Sequence, residues 1–177
     1  PDLASSVANN TIIEQLKKSG HAITIRHLDS LYTDYTIDVA AEQAALLAAD
    51  NIVFQFPLYW YSAPAALKNW LDKVLTFNFA YGPEGDKLKG KNLLISTTVG
   101  GPQEAYTPLG YNHFKVTDLL LPFEQTAYLA GMNYLVPIFT HGCVYIPGIR
   151  NVKEEVEERA RNHAQRVVTL LGELAKR

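Results

Sequence analysis

The richest place for chemistry in this chain is the run Phe56-Pro57-Leu58-Tyr59-Trp60-Tyr61-Ser62-Ala63-Pro64. Three consecutive aromatics between two prolines are hard to explain as core alone. A loop aims side chains in several directions, so at least one of Tyr59, Trp60 and Tyr61 is expected to line a surface pocket. Stacking and edge contacts on a flat heteroaromatic would use such rings well; packing against a neighbouring subunit is the alternative. A second place is Thr97-Thr98-Val99-Gly100-Gly101-Pro102-Gln103, where paired glycines let the backbone approach a ligand and expose successive N–H donors. A third is Ser5-Ser6-Val7-Ala8-Asn9, which leads into a helix. Hydroxyls, free N–H groups and the positive end of the helix dipole suit a phosphate there, though Ser and Asn at a helix start also serve simply as caps.

Other chemistries lack an anchor. The five histidines are scattered, with no His pair at helical spacing, and neither a Walker loop, a G-x-G-x-x-G nor a G-x-S-x-G elbow occurs. Asp29, Asp34 and Asp38 are too irregular for a calcium loop. Cys143 is the one cysteine, so no internal disulfide and no Cys-based metal site is expected, and the thiol reads as a small buried residue.

The elements that must position these loops follow from periodicity. A helix runs to about Lys18 with Ile12, Ile13 and Leu16 on one face, stopped by Ser19-Gly20. Ala22 to Leu28 alternates and is β-branched, which predicts a strand. Ala40 to Ala49 predicts a helix, and Asn51 to Phe56 a strand ended by Pro57. Pro64 suits the first turn of a helix that reaches about Leu75, with Leu67, Trp70, Leu71 and Val74 on one stripe. Asn92 to Thr98 is a strand of the buried kind, Phe114 to Ala130 a helix, Tyr134 to Phe139 a strand, and Val152 to Lys176 a charged amphipathic helix. Short buried strands alternating with helices predict a parallel α/β sheet covered on both faces, in a single domain spanning 1–177. A doubly wound sheet also wants a strand before its first helix. We therefore expect the sequence shown to begin just after strand one, a genuine four-stranded sheet being the alternative. In such folds ligands sit beyond the carboxyl ends of the strands, where all three candidate loops fall.

Composition narrows the class further. In 177 residues Lys plus Arg total 16 and Asp plus Glu 18, a net charge of −2. No basic excess exists to neutralise a run of phosphates, which argues against nucleic acid as a partner. With 47% hydrophobic and 19% charged residues the chain is globular. No apolar run reaches the roughly 18 residues of a membrane helix, and the cysteine usage makes a reducing cytoplasm the default home. The stretch from Gln125 to Ile149 carries no formal charge and is expected to face the core, a pocket or a partner subunit.

At these residues the sequence resembles the flavodoxin-like NAD(P)H:quinone oxidoreductases, which include the mammalian quinone reductases, bacterial modulator-of-drug-activity proteins and the ancillary subunits of glutathione-gated potassium efflux systems. Phe56 to Val74 resembles the family's signature loop and helix nearly throughout, Phe79-Ala80-Tyr81-Gly82 and Thr97 to Gly101 follow at the expected distances, and Gly131 to Pro137 resembles the approach to the last strand. The resemblance implies a flavodoxin-like doubly wound sheet and a bound flavin, FMN for so short a chain, with FAD the alternative. It places Pro57, Leu58, Tyr59 and Trp60 on the isoalloxazine, Thr97, Thr98, Val99, Gly100 and Gly101 on its pyrimidine side, and Ser6, Val7, Ala8 and Asn9 around the phosphate and ribityl chain. Tyr106 matches the tyrosine that helps stabilise charge on the reduced ring, with Gly100 and Gly101 as partners in that role. Pro1 matches the proline of a His-Pro pair that ends strand one. Tyr61, Phe79, Tyr81 and Asn112 would contact substrate. The mammalian enzymes carry a catalytic histidine six residues after that tyrosine; here Asn112 stands there, able to hydrogen-bond but not to protonate, with His113 one further on.

The activity so implied is ping-pong hydride transfer from NAD(P)H through the flavin to a quinone or similar flat acceptor, an NAD(P)H dehydrogenase (quinone), in a homodimer. An ancillary role on a cation antiporter is the alternative. A one-electron carrier fits less well, since such carriers dock through strongly acidic surfaces and the net charge here is only −2.

Overall fold

The structure, a computed structural model, describes residues 3–176. Its elements in chain order are α1 (Val7–Lys18), α2 (Leu28–Leu31), α3 (Val39–Ala48), β1 (Asn51–Pro57), α4 (Ala65–Val74), β2 (Asn92–Thr98), α5 (Val116–Leu119), α6 (Leu121–Leu129), β3 (Asn133–Tyr134), β4 (Ile138–Thr140) and α7 (Lys153–Leu174). β2 lies at the centre, parallel to β1 on one side and to β3 and β4 on the other, with Phe54 opposite Ile95 and Gln55 opposite Ser96.

The period-2 alternation of strands sorts the core onto two faces. Ile52, Phe56, Leu93 and Ile95 pack with Leu67, Trp70 and Val74 of α4 and Phe123 and Ala127 of α6. Leu94 points the other way, toward Ile12 and Leu16 of α1 and Val156, Ala160, Ala164 and Val167 of α7. Covered on both sides, β2 is buried from Leu93 to Thr98. This is why it reads as an apolar run and not as an alternation.

Three expected elements differ. The helix expected over Phe114–Ala130 is broken into α5 and α6, because Pro122 in the first turn of α6 has no N–H to continue the preceding turn. The last strand is split into β3 and β4 around Pro137, which likewise cannot donate to a ladder. The strand expected at Ala22–Leu28 is not in the sheet. Among the described residues it pairs with no strand, and between it and β1 lies a cavity of about 630 Å³, lined by Ile23, Ile25, Val53, Phe54, Ile13 and Leu171 among others. Pro1, matched to the His-Pro pair, lies outside the described residues.

Ala22–Leu28 packs on the cores through Ile23 and Leu28 and is tied to α3 by a buried carboxylate. Glu42 of α3 accepts hydrogen bonds from Arg26 Nε (2.7 Å), Tyr32 Oη (2.6 Å) and Trp70 Nε1 (2.8 Å). A second Arg26 nitrogen lies 2.6 Å from the same carboxylate. Burial pushes the Glu42 carboxyl up, but the hydrogen bonds from Arg26, Tyr32 and Trp70 and the arginine charge outweigh it and hold the group below its ordinary value.

Candidate functional site

The candidate loops meet at the carboxyl ends of the strands. After β1 the chain makes a tight hairpin, Tyr59 and Ser62 exchanging backbone N–H···O bonds of 2.9 Å in both directions. Its two central residues are Trp60 (φ 46°) and Tyr61 (φ 63°). A turn with both central residues left-handed is the kind that normally takes Asn-Gly; here it takes two bulky aromatics. The strain is spent on display, since Trp60 is 90% exposed and Tyr59 and Tyr61 are about half exposed. Leu58, by contrast, is half-buried against the core, and its N–H donates to Thr98 O at 2.8 Å.

Beyond β2 the polar groups divide by orientation. Thr97 is buried and its hydroxyl donates to Phe56 O, while the Val99 N–H donates to Thr140 O. Both therefore brace the loop and offer it no side-chain donor. Gly100 and Gly101 leave the sheet, and among the described residues neither N–H has a backbone acceptor. A Cβ on Gly101 would lie 3.0 Å from the Tyr106 ring and 3.4 Å from the Tyr111 hydroxyl, so glycine lets both rings close over the backbone.

Tyr106 sits half-buried, and burial, with Tyr61 and Tyr111 nearby, pushes its phenol up. The loop carrying it is knitted by Asn112 N–H to Ala105 O and Gly110 N–H to Thr107 O, both at 3.0 Å. Gly110 is required there, because a Cβ would fall 2.3 Å from Glu104 O. Asn112 Oδ1 accepts from the Tyr61 hydroxyl at 3.0 Å, which ties the aromatic hairpin to the Tyr106 loop. His113, by contrast, is exposed, on a left-handed backbone.

At the third corner Ser6 caps α1, its Oγ accepting from the Asn9 N–H at 3.3 Å. Asn9 is buried, and its Nδ2 donates to Ser6 Oγ (3.1 Å) and Thr98 Oγ1 (3.0 Å), fastening the start of α1 to the end of β2. Ala8 is buried and Val7 packs on the same core face, so both contribute backbone and not side chain to the mouth.

Two expected wall residues stand elsewhere. Phe79 is buried in the core beside Leu88, and Tyr81, though exposed, has its ring against Phe77. A Phe-x-Tyr spacing cannot separate an inward ring from an outward one. One site residue escaped the sequence reading, His141, directly after β4. Its ring lies 5.2 Å from that of Tyr106, and its Nδ1 is 3.3 Å from Gly101 O. Burial pulls its pKa below the ordinary histidine value. The rule that ligands gather past strand ends would have found it. Cys143 is buried as expected, its thiol pushed up to about 11 by burial.

A parallel sheet with helices on both faces, and loops gathered at its carboxyl edge, is the doubly wound anatomy in which ligands bind past the strand ends. Residues 1–167 match Flavodoxin_2, a flavodoxin-like fold. The chain belongs to that family. Among solved structures it is similar to general stress protein 14 of Treponema denticola in complex with FMN, 32% identical with a TM-score of 0.86 over 97% of this chain and 94% of that one. It is also similar to an NADPH-quinone reductase from P. pentosaceus, 30% identical with a TM-score of 0.73 over 93% and 91% of the two chains. Among curated relatives it is 40% identical over 163 residues to KefF of Klebsiella aerogenes, a glutathione-regulated potassium-efflux system ancillary protein, covering 92% of this chain and 88% of that protein. No helix among the described residues is long and apolar enough to cross a membrane.

Proposed function

We propose that the protein is an FMN-dependent NAD(P)H dehydrogenase that reduces quinones or similar flat acceptors. The observation that carries this reading is the convergence of the strained Trp60-Tyr61 turn, the Gly100-Gly101 backbone and the capped start of α1 at one edge of the sheet. These residues fit FMN by their chemistry. Exposed rings offer a stacking face, unpaired N–H groups meet an acceptor edge, and a helix N-terminus with a serine cap suits a phosphate. Bound FMN would supply the hydride chemistry, taking two electrons from NAD(P)H and passing them to the acceptor.

The chain's own groups do the rest. Backbone donors at Gly100 and Gly101 are fixed before ligand arrives and need no reorganisation to meet negative charge. Tyr106, its phenol held neutral by burial, can donate from beside them. His141, neutral at pH 7 because burial lowers its pKa, borders the same spot. Nicotinamide and quinone would use one stacking face in turn, which makes the kinetics ping-pong.

Exposed Leu109, Tyr111, Phe114, Tyr128 and Leu129 support a homodimer. The 40% identity to KefF favours a second reading, an ancillary subunit of a cation antiporter, with the reductase chemistry retained or lost.

The test is to mix FMN-loaded protein with NADPH, then NADH, without oxygen, and follow the visible absorption. Rapid bleaching that a quinone reverses is the expected result. Flavin that neither nucleotide bleaches would overturn the reductase and leave the ancillary role. Asn112→Ala should change quinone turnover by less than about threefold, since the residue holds one exposed hydrogen bond from Tyr61. A loss of a hundredfold in steady-state rate would instead place Asn112 in the chemistry.

A further inference from the structure

A continuous line of polar side chains runs inside the molecule along the face of the sheet that α1 and α7 cover, from α7 across β2 and β1 to α1. Its start is His163, 1% exposed in the middle of α7. His163 Nδ1 lies 2.9 Å from Thr140 Oγ1 and its Nε2 lies 2.7 Å from Ser96 Oγ. The Ser96 hydroxyl donates to Gln55 Oε1 at 2.5 Å, across the β1–β2 ladder where the two residues are register partners. Gln55 Nε2 donates to Asn9 Oδ1 at 2.9 Å, and Asn9 Nδ2 donates to both Ser6 Oγ and Thr98 Oγ1.

Proton counting gives this line a single sense. A hydroxyl has one hydrogen, and that of Ser96 is committed to Gln55 Oε1, a pure acceptor. The Ser96 oxygen must then accept from His163 Nε2–H. Nδ1 is left without a proton and accepts from the Thr140 hydroxyl. At the far end Asn9 gives both amide hydrogens away, to oxygens that act as acceptors. The hydroxyl hydrogens of Ser6 and Thr98 are therefore not spent on Asn9.

We infer that His163 is a positioning residue whose Nε2–H tautomer sets the donor sense of this buried line, so that Ser6 at the mouth of α1 presents its hydroxyl hydrogen to an acceptor-only ligand, a phosphate monoester. With the opposite tautomer every bond in the line reverses. Asn9 would turn its oxygen toward Ser6 and Thr98, and their hydrogens would be consumed inside the protein. Burial, with Arg166 nearby, pulls the His163 pKa down to about 4, so at pH 7 the ring is neutral and carries a single proton. The identity of the phosphate as that of FMN rests on the function proposed above; the sense of the line does not.

The first measurement is the tautomer of His163 in the uniformly ¹⁵N-labelled full chain, from long-range ¹H–¹⁵N correlation at pH 7. A protonated Nε2 with a bare Nδ1 is expected, and a protonated Nδ1 overturns the inference outright. The second compares FMN with riboflavin, which lacks the phosphate, by fluorescence quenching. His163→Met removes both the donor and the acceptor and should weaken FMN about tenfold, the scale of one hydrogen bond to a charged group, while riboflavin affinity stays within twofold. His163→Gln, which can still donate and accept, should recover most of the FMN affinity. Equal losses for FMN and riboflavin, or no recovery by Gln, would show a merely structural role and overturn the inference. If the wild-type chain takes up neither flavin, the reading of the cofactor fails, and the tautomer still decides the sense of the line.

Discussion

Glu42→Ala is expected to cost about 3 kcal/mol of unfolding free energy, measured by urea denaturation at pH 7. The wild-type carboxylate is 2% exposed and answers three donor side chains, Arg26, Tyr32 and Trp70. Removing it leaves a guanidinium and a buried indole N–H without their acceptor. Losing one member of a buried ion pair typically costs about 3–5 kcal/mol. The lower end applies because Arg26 keeps 31% of its side-chain surface exposed and can rehydrate.

The pH dependence follows from the direction of the shift. Glu42 titrates below its ordinary value in the folded protein. Its ionised form therefore contributes stability that is fully present above the unfolded-state pKa and is lost as pH falls through the folded one. The gap between wild type and the neutral isostere Glu42→Gln should be widest near pH 7 and should close on acidification below the ordinary carboxylate range. A gap that stays constant from pH 7 to pH 3 would show that the charge contributes nothing and that shape alone holds Arg26.

The same cluster marks how far sequence carries. α1, α3, α4, β1, β2 and α7 follow from apolar period and punctuation, because each buries one face and the pattern of that face is local. Ala22–Leu28 has the strand pattern too, with Ile23 and Ile25 alternating. Strand pairing, however, belongs to two segments and not to one, and among the described residues this segment pairs with no strand. It is tied to α3 by Arg26 reaching Glu42, a contact between residues sixteen apart that no periodicity announces. The site divides in the same manner. The loops were legible because they stand at strand ends. Which residues in them turn inward was not, as buried Phe79 and Val99 and half-buried His141 show. Least legible was the line from His163 to Ser6, whose members lie on five elements and the cap of α1 and look like ordinary polar residues one at a time.

Replacing Trp60-Tyr61 with Asn-Gly should make the protein more stable and, at the same time, worse at its work. In the wild type both residues hold left-handed backbone, at φ 46° and 63°, a conformation that costs an L-residue with a bulky side chain roughly 1–2 kcal/mol each. Gly carries no such cost, and Asn carries a reduced one, which is why Asn-Gly is the preferred pair for this turn. Little is lost in exchange, because Trp60 is almost fully exposed and Tyr61 gives up one surface hydrogen bond to Asn112. The net gain should be about 1–2 kcal/mol, a rise in Tm of roughly 3–6 °C for a domain of this size. FMN affinity, read by fluorescence quenching, should fall at least about tenfold, since two stacking rings are gone. A variant both more stable and undiminished in FMN binding would mean that the aromatics serve something other than the flavin face. A variant less stable than wild type would mean that ordinary packing stabilises this turn. The expected opposition of the two readouts is the signature of backbone strain kept at a binding edge, tolerated because the core beneath β1 and β2 is stable enough to carry it.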